Sequence, residues 1–137
     1  MKLLLDTHCW LWWFANDPRL GQSARNLIGD GENVVYLSAA SSWEIAIKTS
    51  LGKLTLPEPP ERYVPSRLAA QGMQGLAIEH AHALKVASLP AHHSDPFDRL
   101  IVAQAQVEGL PVLTVDENIA AYEVDAMWAG RGDSPWR

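Results

Sequence analysis

The runs "KLLL", "VVYL" and "VLTV" are apolar at every position rather than at every second one. A strand with one wet face alternates. A strand with no polar side must be covered above and below, which is the condition of a parallel sheet held between helices. Helical patterns separate the runs: "THCWLWWFAND", with Trp10, Trp13 and Phe14 at helical spacing, then "GQSARNLIGDG", "AASSWEIAIKTSLGKL", the second half of "TLPEPPERYVPSRLAAQG", "AHALKVASL", "RLIVAQAQVEG" and the short "ENIAAY". "GLAIEH" reads as a short third strand and "VDAMW" as a last one, and no Asn-Gly hairpin joins neighbouring strands. The expected fold class is therefore α/β, a three-layer domain around a mainly parallel sheet. Its 137 residues suffice for one such domain. No repeat, low-complexity block or linker divides them. Residues 1–137 read as one domain, with 129–137, "AGRGDSPWR", as a loose C-terminal tail.

In a parallel sheet the residues that follow each strand gather at one edge, and ligands bind at that carboxyl edge. Asp6 follows the first strand directly and Asp116 the fourth. Glu44 lies in the second turn of the helix after the second strand, and Asp98 in the first turn of the helix that enters the fourth. Each acid has a purely structural role open to it. Asp6 and Asp116 can cap the helices behind them, and Asp95 can cap the helix that begins at Pro96, leaving Asp98 to face the helix dipole. Glu44 fits a capping box with Ser41 in "SSWE" and pairs at i,i+4 with Lys48.

Four carboxylates at one edge are harder to explain as four caps. Two of them ~4 Å apart repel by roughly 4 kcal/mol at an effective dielectric of about 20. Such a cluster binds a cation or keeps some members protonated. All-oxygen donors suit Mg²⁺ or Mn²⁺, and the matching chemistry is metal-assisted hydrolysis of a phosphodiester. A metal also reconciles an anionic substrate with a net charge of −5, which argues against a basic nucleic-acid-binding surface.

The segments "LLLDTHCWLWW", "LSAASSWEIAIKTSLGKLTLP", "HSDPFDRLIVAQA" and "VLTVDENIAAY" resemble, in this order, the PIN-domain ribonucleases, and within them the VapC toxins of bacterial toxin–antitoxin pairs. The resemblance runs from about residue 1 to residue 124. It implies an α/β/α sandwich with a parallel sheet of about five strands, Mg²⁺-dependent (or Mn²⁺-dependent) RNA cleavage, and a small antitoxin protein that blocks the site. It also implies a homodimer, or a higher toxin–antitoxin complex. The family's four acids fall on Asp6, Glu44, Asp98 and Asp116; the third falls on Asp98 because "DRLIVAQA" fits the family's apolar helix. Thr114, two residues before Asp116, is placed to hydrogen-bond a carboxylate or a phosphate.

Arg99 and Lys48 are candidates to hold phosphate, with ion pairs to Asp95 and Glu44 as the competing roles. Asp95 itself is either a cap or a supporting acid. The adjacent His92 and His93 must diverge, and no Cys or His-x-x-x-His pattern supports zinc, so both read as parts of a solvated loop. The single cysteine, Cys9, excludes a disulfide framework and reads as a small buried residue. Trp10 and Trp13 read as core, and Trp12 as surplus for an interface. "MKLLLD" does not read as a signal peptide and "CWLWWFA" is too short for a bilayer, so the expected compartment is the cytoplasm without membrane attachment. A non-catalytic PIN-like module that only holds RNA or protein is the competing function. A receiver-like signalling domain is excluded because no aspartate follows the third strand and no lysine the fifth.

Overall fold

Leu3, Leu4 and Leu5 are all fully buried, yet they belong to two different cores. Side chains alternate across a strand, so Leu3 and Leu5 enter one layer and Leu4 the other. The computed structural model describes residues 1–136. Its elements run β1 (Lys2–Leu5), α1 (Thr7–Ala15), α2 (Gln22–Gly29), β2 (Val34–Ser38), α3 (Ala39–Ser50), α4 (Pro60–Gln71), β3 (Gln74–Leu76), α5 (His80–Val86), α6 (Pro96–Glu108), β4 (Val112–Thr114), α7 (Glu117–Ala120) and β5 (Ala126–Trp128).

The five strands form one sheet in the order β3-β2-β1-β4-β5, and every pairing is parallel. The three-layer sandwich expected from the unbroken apolar runs is borne out. Trp10 of α1, Ala24 and Ile28 of α2, Ile45 of α3 and Tyr63 and Val64 of α4 pack with Leu3, Leu5, Leu37 and Leu113 on one face. Ile101, Val102 and Ala105 of α6 and Ile119 of α7 pack with Leu4 and Val112 on the other. The strand order reverses at β1, whose neighbours β2 and β4 lead into helices on opposite faces. That switch point leaves a crevice at the carboxyl ends of β1 and β4, where Asp6 and Asp116 emerge.

Three local expectations need correction. Helix α3 is capped by Ser38, whose Oγ accepts Ala40 N–H at 2.9 Å, and not by Ser41. The chain is already in helix at Ala39, so "SSWE" lies inside it and makes no capping box. Strand β3 begins one residue earlier than "GLAIEH" and ends at Leu76; His80 already opens α5, where Glu79 N–H donates to His82 Nδ1 at 2.9 Å.

The C-terminal segment is anchored at its start rather than loose. Ala129 is fully buried and Gly21 N–H donates to Ala129 O at 2.8 Å. A Cβ on Gly21 would lie 1.9 Å from Gly130 O, so this contact needs glycine. Trp136 packs edge-on against Trp128. The last residue of the expected tail, Arg137, lies outside the described residues. No helix among the described residues is long and apolar enough to cross a membrane.

Candidate metal and catalytic site

Asp6 is held by both carboxylate oxygens. Its Oδ1 caps α1 by accepting Cys9 N–H at 2.8 Å, and its Oδ2 accepts the Thr114 hydroxyl at 2.5 Å. Asp6 is 3% exposed, and burial beside it pushes the Cys9 thiol far up, which leaves that cysteine inert. Glu44 is equally buried. Its Oε1 accepts the Thr7 hydroxyl at 2.7 Å, with Ser41 Oγ 2.9 Å from the same Thr7 oxygen, and its Oε2 pairs with Lys48 Nζ at 2.6 Å. Thr7, the first residue of α1, thus braces the acid on α3.

Asp98 and Asp116 come from the other face. Asp95 caps α6 by accepting Phe97 and Asp98 N–H at 2.8 and 3.2 Å, which sets Asp98 in the first turn. Asp116 caps α7 through Oδ1 to Asn118 N–H at 2.8 Å, while its own N–H donates to Thr114 Oγ1 at 3.0 Å. The Oδ2 atoms of Asp98 and Asp116 both meet His93 Nε2, at 2.9 and 3.1 Å, and among the described residues His93, Asp98 and Asp116 offer three donor atoms within 4.8 Å of one another. Burial, and then the charges of Asp95, Asp6 and Glu44, push the Asp98 carboxyl up from its ordinary 3.8 to about 7, against the pull of His93. The acids from both faces therefore feel one another. Beside Glu44 opens a cavity of about 300 Å³ lined by Thr7, His8, Lys48 and Lys53 among others.

The model of the PIN domain family matches residues 3–125. This chain belongs to the PIN domain family. It is similar to ribonuclease VapC16 of Mycobacterium tuberculosis, 48% identical over 69 residues, a match that covers 47% of this chain and 49% of that protein. Similarity to ribonuclease VapC22 of the same organism is lower, 29%, but covers 88% of this chain and 91% of that one. Among solved structures, VapBC2 of Rickettsia felis bound to a promoter DNA fragment superposes with a TM-score of 0.69 over 93% of this chain and 98% of the matched chain, at 13% identity. The resemblance to PIN proteins of the VapC kind is borne out.

Within this PIN fold the structure brings Asp98 and Asp116 to one histidine and sets Asp6 and Glu44 close enough to raise Asp98. Two sequence expectations fail. His92 and His93 do diverge, but only His92 is exposed, against the Tyr122 ring at 4.9 Å; His93 turns inward onto the acids. Adjacency in sequence settles that two side chains part, not which one stays wet. Arg99 does not make the expected ion pair with Asp95. Its guanidinium donates to Val86 O, Pro90 O and Tyr122 Oη at 3.0 to 3.1 Å, so it ties down the loop that carries His93. Lys48 makes its expected pair with Glu44, which raises its pKa through the hydrogen bond. Lys53, beside it, escaped notice because "LGKL" reads only as a helix end.

Proposed function

We propose that this PIN protein is a Mg²⁺- or Mn²⁺-dependent endoribonuclease, the toxin of a toxin–antitoxin pair, and that Asp6, Glu44, Asp98 and Asp116 form its catalytic metal site. The observation that carries this reading is the convergence of Asp98 Oδ2 and Asp116 Oδ2 at one point, 2.9 and 3.1 Å from His93 Nε2, where burial first and then the charges of Asp95, Asp6 and Glu44 raise the Asp98 carboxyl to about 7. A buried site that also crowds carboxylates favours a bound cation. The donor set fits a hard divalent cation: carboxylate oxygens, no thiol, and a single histidine at the edge. Asp6, Glu44, Asp98 and Asp116 would hold the ion. When bound, it supplies charge neutralisation on the phosphate and a more acidic attacking water.

The chain's own residues contribute the rest. Thr114 and Thr7 hold Asp6 and Glu44 in place by hydrogen bonds, which spares the acids a rearrangement on binding. Lys48 and Lys53 line the neighbouring cavity together with His8 and offer cations to phosphates flanking the scissile bond. RNA as substrate is supported by the ribonuclease names of the two mycobacterial relatives, and a small antitoxin by the VapBC2 assembly. We assign a homodimer and a cytoplasmic setting on the same grounds of kinship, the latter consistent with a single, buried cysteine.

The test is cleavage of RNA by the purified chain with Mg²⁺ or Mn²⁺ and with EDTA, beside Asp6→Asn. Cleavage that needs metal and vanishes in the folded variant supports the reading. Retained cleavage in EDTA overturns the metal site. RNA or protein binding with no cleavage at all points instead to a non-catalytic module. Growth arrest on expression, relieved by a neighbouring small gene, tests the toxin role separately.

A further inference from the structure

His93 is the one nitrogen donor in the group that holds Asp98 and Asp116, and its ring is placed from three sides. The backbone N–H of His93 donates to Tyr122 Oη at 3.0 Å, and Tyr122 Oη also takes a hydrogen bond from Arg99. The Asp95 N–H points at His93 Nδ1 at 3.3 Å. Nδ1 therefore accepts, and the ring proton sits on Nε2. From there it faces two carboxylate oxygens at once, Asp98 Oδ2 at 2.9 Å and Asp116 Oδ2 at 3.1 Å.

A nitrogen ligand would present the opposite arrangement. Coordination through Nε2 needs that atom bare and the proton on Nδ1, where a ligating histidine donates to an acceptor. Here Nδ1 meets the Asp95 N–H, and two donors would collide. In this tautomer His93 is a donor to the two acids and occupies the place that a shared cation would take. The backbone is held at both ends, so rotation about the side-chain bonds suffices to withdraw the ring; at 16% exposure it borders solvent.

We propose that His93 is a latch on the metal site: its Nε2–H bridges Asp98 and Asp116 when no ion is bound, and a divalent cation enters by displacing the ring. This rests on the metal-site reading above and adds a competitor built into the chain. The latch ties the Asp98 and Asp116 carboxyl groups together while the site waits for metal. It also lowers metal affinity by the free energy of the bridge.

The experiment uses the whole chain and metal alone, without RNA. Free Mn²⁺ is titrated by electron paramagnetic resonance against wild type, His93→Ala and His93→Gln, and the imidazole resonances of wild type are followed as Mg²⁺ is added. His93→Ala should bind Mn²⁺ about three- to tenfold more tightly, the range set by losing one net hydrogen bond. His93→Gln, which keeps an N–H at similar reach, should stay near wild type. The wild-type His93 ring and the Asp95 amide should shift together as Mg²⁺ saturates. Weaker binding by His93→Ala makes His93 a ligand, and unchanged binding makes it a bystander; either result overturns the latch. Should His93→Ala not fold, a wild-type ring that Mg²⁺ leaves unmoved overturns it equally. Failure of all three chains to bind Mn²⁺ would instead remove the metal site itself, and the latch with it.

Discussion

Thr114 Oγ1 donates to Asp6 Oδ2 at 2.5 Å and accepts the Asp116 N–H at 3.0 Å, so one hydroxyl joins the ends of β1 and β4 across 108 residues of sequence. Both contacts sit at the switch point of the sheet, where the two acids must be held against their own repulsion. Thr114 is fully buried, so neither group can turn to water for a replacement. Thr114→Val keeps the shape and removes both contacts. It should cost about 1–3 kcal/mol in urea unfolding, the penalty for buried polar groups left unpaired. Thr114→Ser should recover most of that. Equal stability of the valine variant would mean that water reaches this corner.

Asp98 makes stability depend on pH in a direction opposite to that of most carboxylates. Its carboxyl rises from 3.8 to about 7 on folding, so between these values the native chain holds a proton that the unfolded chain has lost. The stabilisation this brings is complete below 3.8 and disappears as pH climbs through about 7. Metal-free protein should therefore lose melting temperature across that window, and Asp98→Asn should flatten the loss. Divalent metal needs the ionised form, so the rise in melting temperature it causes should be larger at about pH 8 than at about pH 5. A pH profile shared by wild type and Asp98→Asn would contradict the crowding of this carboxyl.

The layers were legible because burial on both faces leaves its mark in "KLLL", "VVYL" and "VLTV", and the acids were legible because each follows a strand or opens a helix. What escaped depends on contacts between segments far apart. His93 turns inward because Arg99 on α6 and Tyr122 after α7 hold its loop, and no period in "LPAHHSDPFD" reports that. The true cap of α3 was missed because Ser38 and Ser41 look alike in sequence; only the extended backbone at Ser38, φ −66° and ψ 144°, distinguishes them. The anchoring of residues 129 and 130 rests on the close approach of Gly21 to Gly130, two residues that in sequence mark only turns.

Arg99 should behave as a structural residue. Its fork reaches three acceptors on separate segments, Val86, Pro90 and Tyr122, and one ammonium cannot replace it. Arg99→Lys should lower stability by about 1–3 kcal/mol and open the loop of residues 87–95 to proteolysis. A phosphate-binding arginine would give another result, a higher KM for RNA with an unchanged melting temperature. That outcome would return Arg99 to the substrate.

Asp95 and Asp98 lie three residues apart on the same turn and should part company on mutation. Asp95 accepts two backbone N–H groups, and asparagine does the same without the charge. Asp95→Asn should thus keep the fold and most activity, and Asp95→Ala should lose about 1 kcal/mol with the cap. Removing the Asp95 charge also removes the neighbouring charge that raises Asp98 most, so the Asp98 carboxyl should titrate lower in Asp95→Asn. Asp98→Asn leaves the cap intact, since only its backbone N–H takes part, but deletes an oxygen anion from the site. RNA cleavage should then fall by orders of magnitude with melting temperature held or raised, because one member of a repelling cluster is gone. Cleavage rate at saturating Mg²⁺ and melting temperature in EDTA, measured on all three variants, decide the matter. An inactive Asp95→Asn beside an active Asp98→Asn would exchange the two roles and make Asp95 the third acid of the metal site.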